Sequence, residues 1–72
     1  MHIGMAERLA NRLKDRRTEL GLTQAELAER VGVTRKTVNT VENGVFTPSA
    51  TLAIKLSQAL ELSVEQLFWI ER

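Results

Sequence analysis

Two short stripes of apolar residues, separated by a glycine, occupy the middle of the chain. Leu27, Ala28 and Val31 recur at the spacing of one helix face, and Val38 and Val41 do the same a few residues later. Each stripe is flanked by polar residues, so each predicts an amphipathic helix with one buried face. We expect added bulk at Ala28, or at the glycine between the stripes, to push the two helices apart.

Helix start and stop signals bound both stripes. Thr23, with Glu26 three residues later, is typical of a capping box at a helix N-terminus. Gly32 predicts the end of that helix, because the position after a helix often needs a positive φ. Thr34 then predicts the N-cap of the next helix. Residues 23–44 therefore predict a helix-turn-helix unit with a short turn.

The remaining apolar positions predict three further helices. The first spans residues 6–20 and has Arg17 inside its apolar stripe. The fourth begins at the N-cap Ser49, and the fifth begins at the N-cap Ser63. The expected fold class is therefore all-α, with five helices in one compact domain.

The C-terminus permits two interpretations. Val64, Leu67 and Phe68 fit the apolar stripe of the fifth helix. Residues 68–70 also fit a short terminal strand beside Ile3, so a terminal strand pair is an alternative to a longer helix.

Length and composition limit what the chain can be. Seventy-two residues are enough for one domain, which we expect to span 1–72. Cysteine is absent, which excludes disulfides and thiolate metal sites and fits a cytoplasmic location. No apolar run approaches the ~18 residues of a membrane span, and no signal peptide is recognised, so no membrane association is expected.

The net charge of +1 is unevenly distributed along the chain. Residues 1–40 carry eight Lys and Arg against five Asp and Glu, whereas residues 41–72 carry two against four. The basic half contains the predicted helix-turn-helix unit. We therefore expect that half to face any anionic partner, with the acidic half turned away.

An enzyme active site, a metal site or a cofactor site is not expected. His2 is the only histidine of the sequence, and a metal or catalytic role would need partners that the sequence does not supply. No pair of carboxylates shares a helix face in the arrangement that general acid–base catalysis requires.

The predicted third helix turns a polar face away from the core when it is projected at about 100° per residue. This face carries two cations, two amides and a hydroxyl, groups that hydrogen-bond base edges and phosphates. Thr37 and Glu42 lie on its flanks. For an isolated polar helix, a solvated surface is the simpler interpretation. Here the helix-turn-helix spacing that precedes this helix favours a face that recognises DNA. The residues on this face are Arg35, Lys36, Asn39, Thr40 and Asn43.

Several short motifs at matching spacing give the chain a family resemblance. They are LGLTQAELA at 20–28, VGVT at 31–34, VENG at 41–44 and LSV at 62–64. Over residues 13–68 the chain resembles the phage repressor and Cro-type (Xre-type) helix-turn-helix domains. The resemblance implies a lambda-repressor-like fold, sequence-specific binding of double-stranded DNA and regulation of transcription, more often by repression.

The resemblance also implies roles for individual residues. Arg17 is expected to pair with Glu42 and so tie the first helix to the third. Gln24, at the N-terminus of the second helix, is expected to hold a DNA phosphate together with backbone N–H groups. The base-reading positions of the family fall on Arg35, Lys36 and Thr40, with Asn39 adjacent. By its hydrogen-bonding groups, Arg35 is expected to contact guanine and Asn39 to pair with adenine. The expected DNA-binding residues are Thr23, Gln24, Thr34, Arg35, Lys36, Thr37, Asn39, Thr40 and Asn43.

Trp69 and Ile70 exceed what the stripe of the fifth helix can bury, so they predict either extra cover for the core or a dimer contact. Ile54 lies nearly opposite the apolar face of the fourth helix, which is typical of a central helix or an interface. The resemblance favours a homodimer formed through residues 50–72, so Ile54, Trp69 and Ile70 are assigned to the dimer interface. Such a dimer would present two third helices to successive major grooves of a near-palindromic operator.

Two alternatives remain open at this stage. The family also contains antitoxins, which act together with a toxin partner. A helical protein-interaction module that no longer binds DNA belongs to a different class. Its signature would be a carboxylate at the centre of the outward face of the third helix.

Overall fold

The computed structural model describes residues 7–72, which form five helices and one two-stranded antiparallel sheet. The two strands lie at the two ends of this range, and the helices lie between them in sequence. This architecture confirms the expected helical fold and its terminal strand pair. In chain order the elements are β1 (Arg8–Asn11), α1 (Leu13–Glu19), α2 (Gln24–Val31), α3 (Arg35–Glu42), α4 (Ala50–Leu60), α5 (Val64–Leu67) and β2 (Phe68–Glu71).

The prediction of the first helix is wrong over its N-terminal half. Residues 8–11 form β1, and α1 begins only at Leu13. Leu9 and Ala10 fit a helical stripe, yet they pair with residues of β2 across the sheet. Asn11 sets the boundary, because its Oδ1 accepts the backbone N–H of Leu13 at 2.9 Å. The pairing strand lies at the other end of the sequence, so a local pattern does not reveal it.

The strand β2 begins where the short helix α5 ends. Phe68 is the first residue of β2 and not, as one of the two predictions had it, part of a helical stripe. It is nevertheless buried in the core. A terminal strand is therefore present, and its partner is β1. Ile3, the partner considered from the sequence, lies outside the described residues.

The caps of the helix-turn-helix unit agree with the sequence prediction. Thr23 Oγ1 accepts the backbone N–H of Glu26 at 3.0 Å, and Glu26 Oε1 accepts that of Thr23 at 2.8 Å. These hydrogen bonds, first of all that from the Thr23 backbone, lower the pKa of Glu26. Because the pKa of Glu26 is lower in the folded protein than in the unfolded chain, the capping box stabilises the fold at pH values above the ordinary Glu pKa. This stabilisation is lost as the pH falls through the lowered pKa.

The turn between α2 and α3 depends on backbone conformation and not on close packing. Gly32 has φ +75°, in the left-handed region that favours glycine. A Cβ added at Gly32 would meet no atom within 4 Å. The expectation that bulk at Gly32 would push the helices apart is therefore wrong. Ala28, by contrast, is buried in the core.

A single apolar core joins the helices and the sheet. α2 packs against both α3 and α4, α4 packs against α5, and α5 leads into β2. Within residues 7–72, no helix combines the length and apolar character needed to cross a membrane. The buried apolar residues are Leu13, Leu22, Leu27, Ala28, Val31, Val38, Val41, Leu52, Leu56, Leu60, Leu67 and Phe68.

Two polar contacts fix α3 on this core. Arg17 Nε donates to Glu42 Oε2 at 2.6 Å, and Arg17 Nη2 donates to Glu42 Oε1 at 3.2 Å. The two side chains are only 12% and 3% exposed, and Arg17 Nη1 also donates to the carbonyl oxygen of Leu22 at 2.8 Å. Asn11 Nδ2 donates at 3.0 Å to the carbonyl oxygen of Val41, near the end of α3 where carbonyls lack helical partners.

Removing one member of the buried ion pair should destabilise the domain strongly. We expect Glu42→Ala to lower the free energy of unfolding by about 3 kcal/mol, because it leaves the Arg17 guanidinium buried without its counter-ion. The total free energy of unfolding for a chain of this size is roughly 4–10 kcal/mol. The decrease should therefore lower the urea midpoint of unfolding clearly.

Glu71→Ala is the matched control for this prediction. It removes a glutamate from the exposed pair in which Arg8 Nε donates to Glu71 Oε1 at 2.8 Å. Exposed pairs contribute less than about 1 kcal/mol. An equal decrease in the free energy of unfolding for Glu42→Ala and Glu71→Ala would contradict a structural role for the Arg17–Glu42 pair.

Candidate nucleic-acid interface

The outward side of α3 is an accessible polar surface. Val38 and Val41 are buried on the opposite side of the helix, which fixes its rotation about its own axis. The polar residues expected from the sequence to contact DNA therefore remain at or near the surface. Thr23, Thr34, Arg35, Lys36, Asn39 and Asn43 are exposed, whereas Gln24, Thr37 and Thr40 are half-buried.

Four of these residues are linked by hydrogen bonds, and those of Gln24 cross from α2 to α3. Arg35 Nη1 donates to Gln24 Oε1 at 3.3 Å. Gln24 Nε2 donates to Asn39 Oδ1 at 3.1 Å and to Glu42 Oε1 at 3.0 Å. Asn43 Nδ2 donates to Asn39 Oδ1 at 3.1 Å and to the Asn39 carbonyl oxygen at 2.8 Å. The network connects the exposed surface of α3 to the buried ion pair through Gln24.

The threonines of α3 are held by local hydrogen bonds. Thr34 Oγ1 accepts the backbone N–H of Thr37 at 3.2 Å, and the two hydroxyls lie 3.1 Å apart. Thr40 Oγ1 donates to the carbonyl oxygen of Thr37 at 2.9 Å. The bond to Thr34 caps α3, and the others hold the hydroxyls close to the helix.

A surface cleft of about 440 Å³ opens at the N-terminus of α2. Its lining includes Thr23 and Gln24 at the helix start, and also Arg17 and Arg35. The first N–H groups of a helix have no partner within the helix and favour an anion. The cleft therefore combines the exposed Arg35 guanidinium with a helix N-terminus, which suits a phosphate oxygen.

The three residues assigned to a dimer interface are all exposed apolar side chains. Ile54 on α4 is 49% exposed, and Ile70 on β2 is 55% exposed. Trp69 is 38% exposed, and the Arg12 guanidinium lies 5.2 Å from its ring centroid. Because neighbouring residues of a strand point to opposite faces, Trp69 and Ile70 do not share one face of the sheet.

Metal-binding chemistry has no support in the described chain. Residues 7–72 contain no group of three or more His, Cys, Asp or Glu side chains placed to hold an ion. His2, considered from the sequence, lies outside the described residues.

Two residues that position the site, Asn11 and Arg16, are not indicated as such by the sequence. Asn11 contacts both the start of α1 and the end of α3. The N-cap of α1 is Arg12, which makes no side-chain capping bond, so the capping pattern does not indicate that Asn11 bonds to the start of α1. Arg16 Nε donates at 2.8 Å to the carbonyl oxygen of Leu60, at the end of α4, and no sequence pattern signals that contact.

Comparison with known proteins agrees with this geometry. A model of the helix-turn-helix family (HTH_3) matches residues 13–67. The HTH-type transcriptional regulator YgzD of Bacillus subtilis, itself uncharacterized, is 41% identical over 63 residues, which span 88% of this chain and 96% of YgzD. Antitoxin HipB of Escherichia coli K12 is 39% identical over 56 residues, which span 78% of this chain and 64% of HipB.

A solved structure shows the same architecture with DNA. The P22 c2 repressor, in complex with a synthetic operator, is 31% identical and superposes with a TM-score of 0.73 over 75% of this chain and 82% of the repressor chain. With its matching family model, relatives and fold, the chain belongs to the Xre-type helix-turn-helix family of DNA-binding transcriptional regulators.

Proposed function

We propose that this protein represses transcription by binding a near-palindromic operator as a homodimer, with α3 of each protomer in the major groove. The observation that carries the proposal is the exposed polar side of α3, which a buried ion pair holds in a fixed orientation. Arg35, Lys36 and Asn39 project from this side, opposite the buried Val38 and Val41. An α-helix with such side chains fits the width of the major groove.

Phosphate contacts would set the position of the protein on DNA. The cleft at the start of α2 offers helix N–H groups together with Arg35 at the start of α3, and Asn43 stands at the other end of α3. Thr23, Gln24 and Thr34 complete this set on the same surface. Such contacts give affinity and register without sequence preference, and they weaken as salt rises.

Base contacts would come from the first six residues of α3. The Arg35 guanidinium can donate two hydrogen bonds to guanine O6 and N7. Lys36 offers a second cation for a base or a phosphate. Thr37 and Thr40 present methyl groups that suit the thymine methyl.

Dimerisation through residues 50–72 would supply the second half-site. Ile54 and Ile70 are the more exposed of the three apolar residues assigned to the interface, and Trp69 is partly covered by Arg12. A twofold dimer places two reading helices about 34 Å apart, one turn of DNA. In this arrangement residues 23–44 read DNA and residues 50–72 hold the two copies together.

An antitoxin is the second candidate, and the similarity to HipB favours it specifically. It would add a toxin as a protein partner to the same DNA-binding surface, and co-purification with the product of a neighbouring gene would support it. A protein-interaction module without DNA binding is disfavoured. The only carboxylate of α3 is Glu42, whose side chain is 3% exposed, so none stands at the centre of the outward surface.

Arg35→Ala should reduce sequence preference and not merely affinity. We expect it to cost about 1–3 kcal/mol at one base pair of the operator, because a bidentate guanine contact is lost. Fluorescence titrations of duplexes that carry each of the four bases at that position measure the effect. Arg30→Ala removes an exposed arginine from α2 outside the network and should leave the preferred base unchanged. An unchanged base preference for Arg35→Ala would show that Arg35 does not contact a base.

Ile54→Glu and Ile70→Glu should each shift the protein from dimer to monomer if both side chains lie in the interface. A carboxylate buried between two protomers is strongly unfavourable, and sedimentation equilibrium measures the change. Val45→Glu is the control, because Val45 is exposed and apolar but lies outside residues 50–72. A dimer that survives both isoleucine variants would contradict this interface.

A further inference from the structure

The hydrogen-bond network fixes which side-chain atoms of α3 are free to read a base. It begins at Glu42, whose carboxylate is held by Arg17. A carboxylate in such a pair only accepts hydrogen bonds. The group of Gln24 that lies 3.0 Å from Glu42 Oε1 must therefore be the Nε2 amide, which donates.

This contact removes the usual ambiguity between the oxygen and nitrogen of a side-chain amide. With Nε2 turned towards Glu42, Gln24 Oε1 faces Arg35, which is a donor without acceptor capacity. Both neighbours thus require the same orientation of the Gln24 amide. The same Nε2 group lies 3.1 Å from Asn39, so the facing atom of Asn39 must be its acceptor, Oδ1.

Asn43 reinforces this orientation from the other side. Its Nδ2 group donates both to Asn39 Oδ1 and to the Asn39 carbonyl oxygen. The two lone pairs of Asn39 Oδ1 are therefore both engaged within the protein, by Gln24 and by Asn43. The Asn39 side chain is exposed, and its Nδ2 group remains to donate outward.

We propose that Asn39 reads DNA as a hydrogen-bond donor alone and selects guanine, with Gln24 as the positioning residue that transmits the orientation from Glu42. The inference rests on the proposed function and specifies the base that one residue of α3 recognises. Guanine presents two acceptors, N7 and O6, in the major groove, whereas adenine presents one acceptor and one donor.

Adenine is the usual partner of asparagine because a free amide both donates and accepts. That pairing needs Oδ1 to accept from adenine N6, in competition with two donors already in place. Adenine N6 would otherwise face the bound amide without an acceptor, which is unfavourable in a closed interface. The adenine expected for Asn39 from the sequence is therefore replaced by guanine.

Selection from a randomised DNA duplex library tests this proposal with the full-length protein. Asn39→Ala first identifies the base position that depends on Asn39, because this variant should lose the preference for one base at that position. We expect the wild-type protein to enrich guanine at that position. Gln24→Met removes the donor to Asn39 while keeping the side-chain length, and should shift the ratio of guanine to adenine about tenfold towards adenine, the scale of one good base contact.

Gln24→Lys is the decisive companion variant. A lysine still donates towards Glu42 and Asn39 but offers no acceptor to Arg35. It should therefore keep the guanine preference that Gln24→Met loses, whereas a merely structural role for Gln24 predicts the same change in both. Glu29→Met places a methionine at an exposed position of the same helix and should leave the preference unchanged. Thermal unfolding of each variant shows whether it is folded.

The outcomes separate this proposal from the proposed function. Enrichment of adenine by the wild-type protein at the Asn39 position, or equal preferences for Gln24→Met and the wild type, would overturn the role of the network while leaving DNA recognition intact. The base that the wild-type protein enriches at the Asn39 position still tests the proposal if Gln24→Met does not fold. A library from which the wild-type protein enriches no sequence would overturn the proposed function itself, and the base assignment with it.

Discussion

The buried ion pair between Arg17 and Glu42 is the interaction on which the site depends. α3 has eight residues and is too short to be stable by itself in water. Its position comes from two buried valines and from this pair, which ties it to α1. Because both charges are almost fully removed from solvent, the geometry of the pair is more constrained than that of a surface pair.

The same pair also extends its influence to the surface. Glu42 accepts a hydrogen bond from Gln24, which in turn contacts Arg35 on one side and Asn39 on the other. A structural carboxylate and the exposed polar side of α3 are thus parts of one hydrogen-bond network. In this account the orientation of α3 and the chemistry that it presents have a common cause.

Local chemistry made much of the fold predictable, and non-local pairing accounts for the main error. Thr23, Thr34, Ser49 and Ser63 act as N-caps as expected, because a cap bonds to residues adjacent in sequence. The strand β1 was predicted as helix, since its apolar residues fit a helical spacing and its partner lies at the far end of the chain. At the candidate site, the identity of the polar residues followed from the sequence. Their hydrogen-bond orientation did not, because it depends on contacts between helices.

Selection of bound duplexes from a random library by the wild-type protein is the sharpest test of base recognition by α3, since the operator sequence need not be specified in advance. The account predicts enriched sequences with two related half-sites in inverted orientation, about one helical turn apart, and binding that weakens as salt is raised. Retention of DNA without any enriched sequence would contradict the claim that α3 reads base pairs.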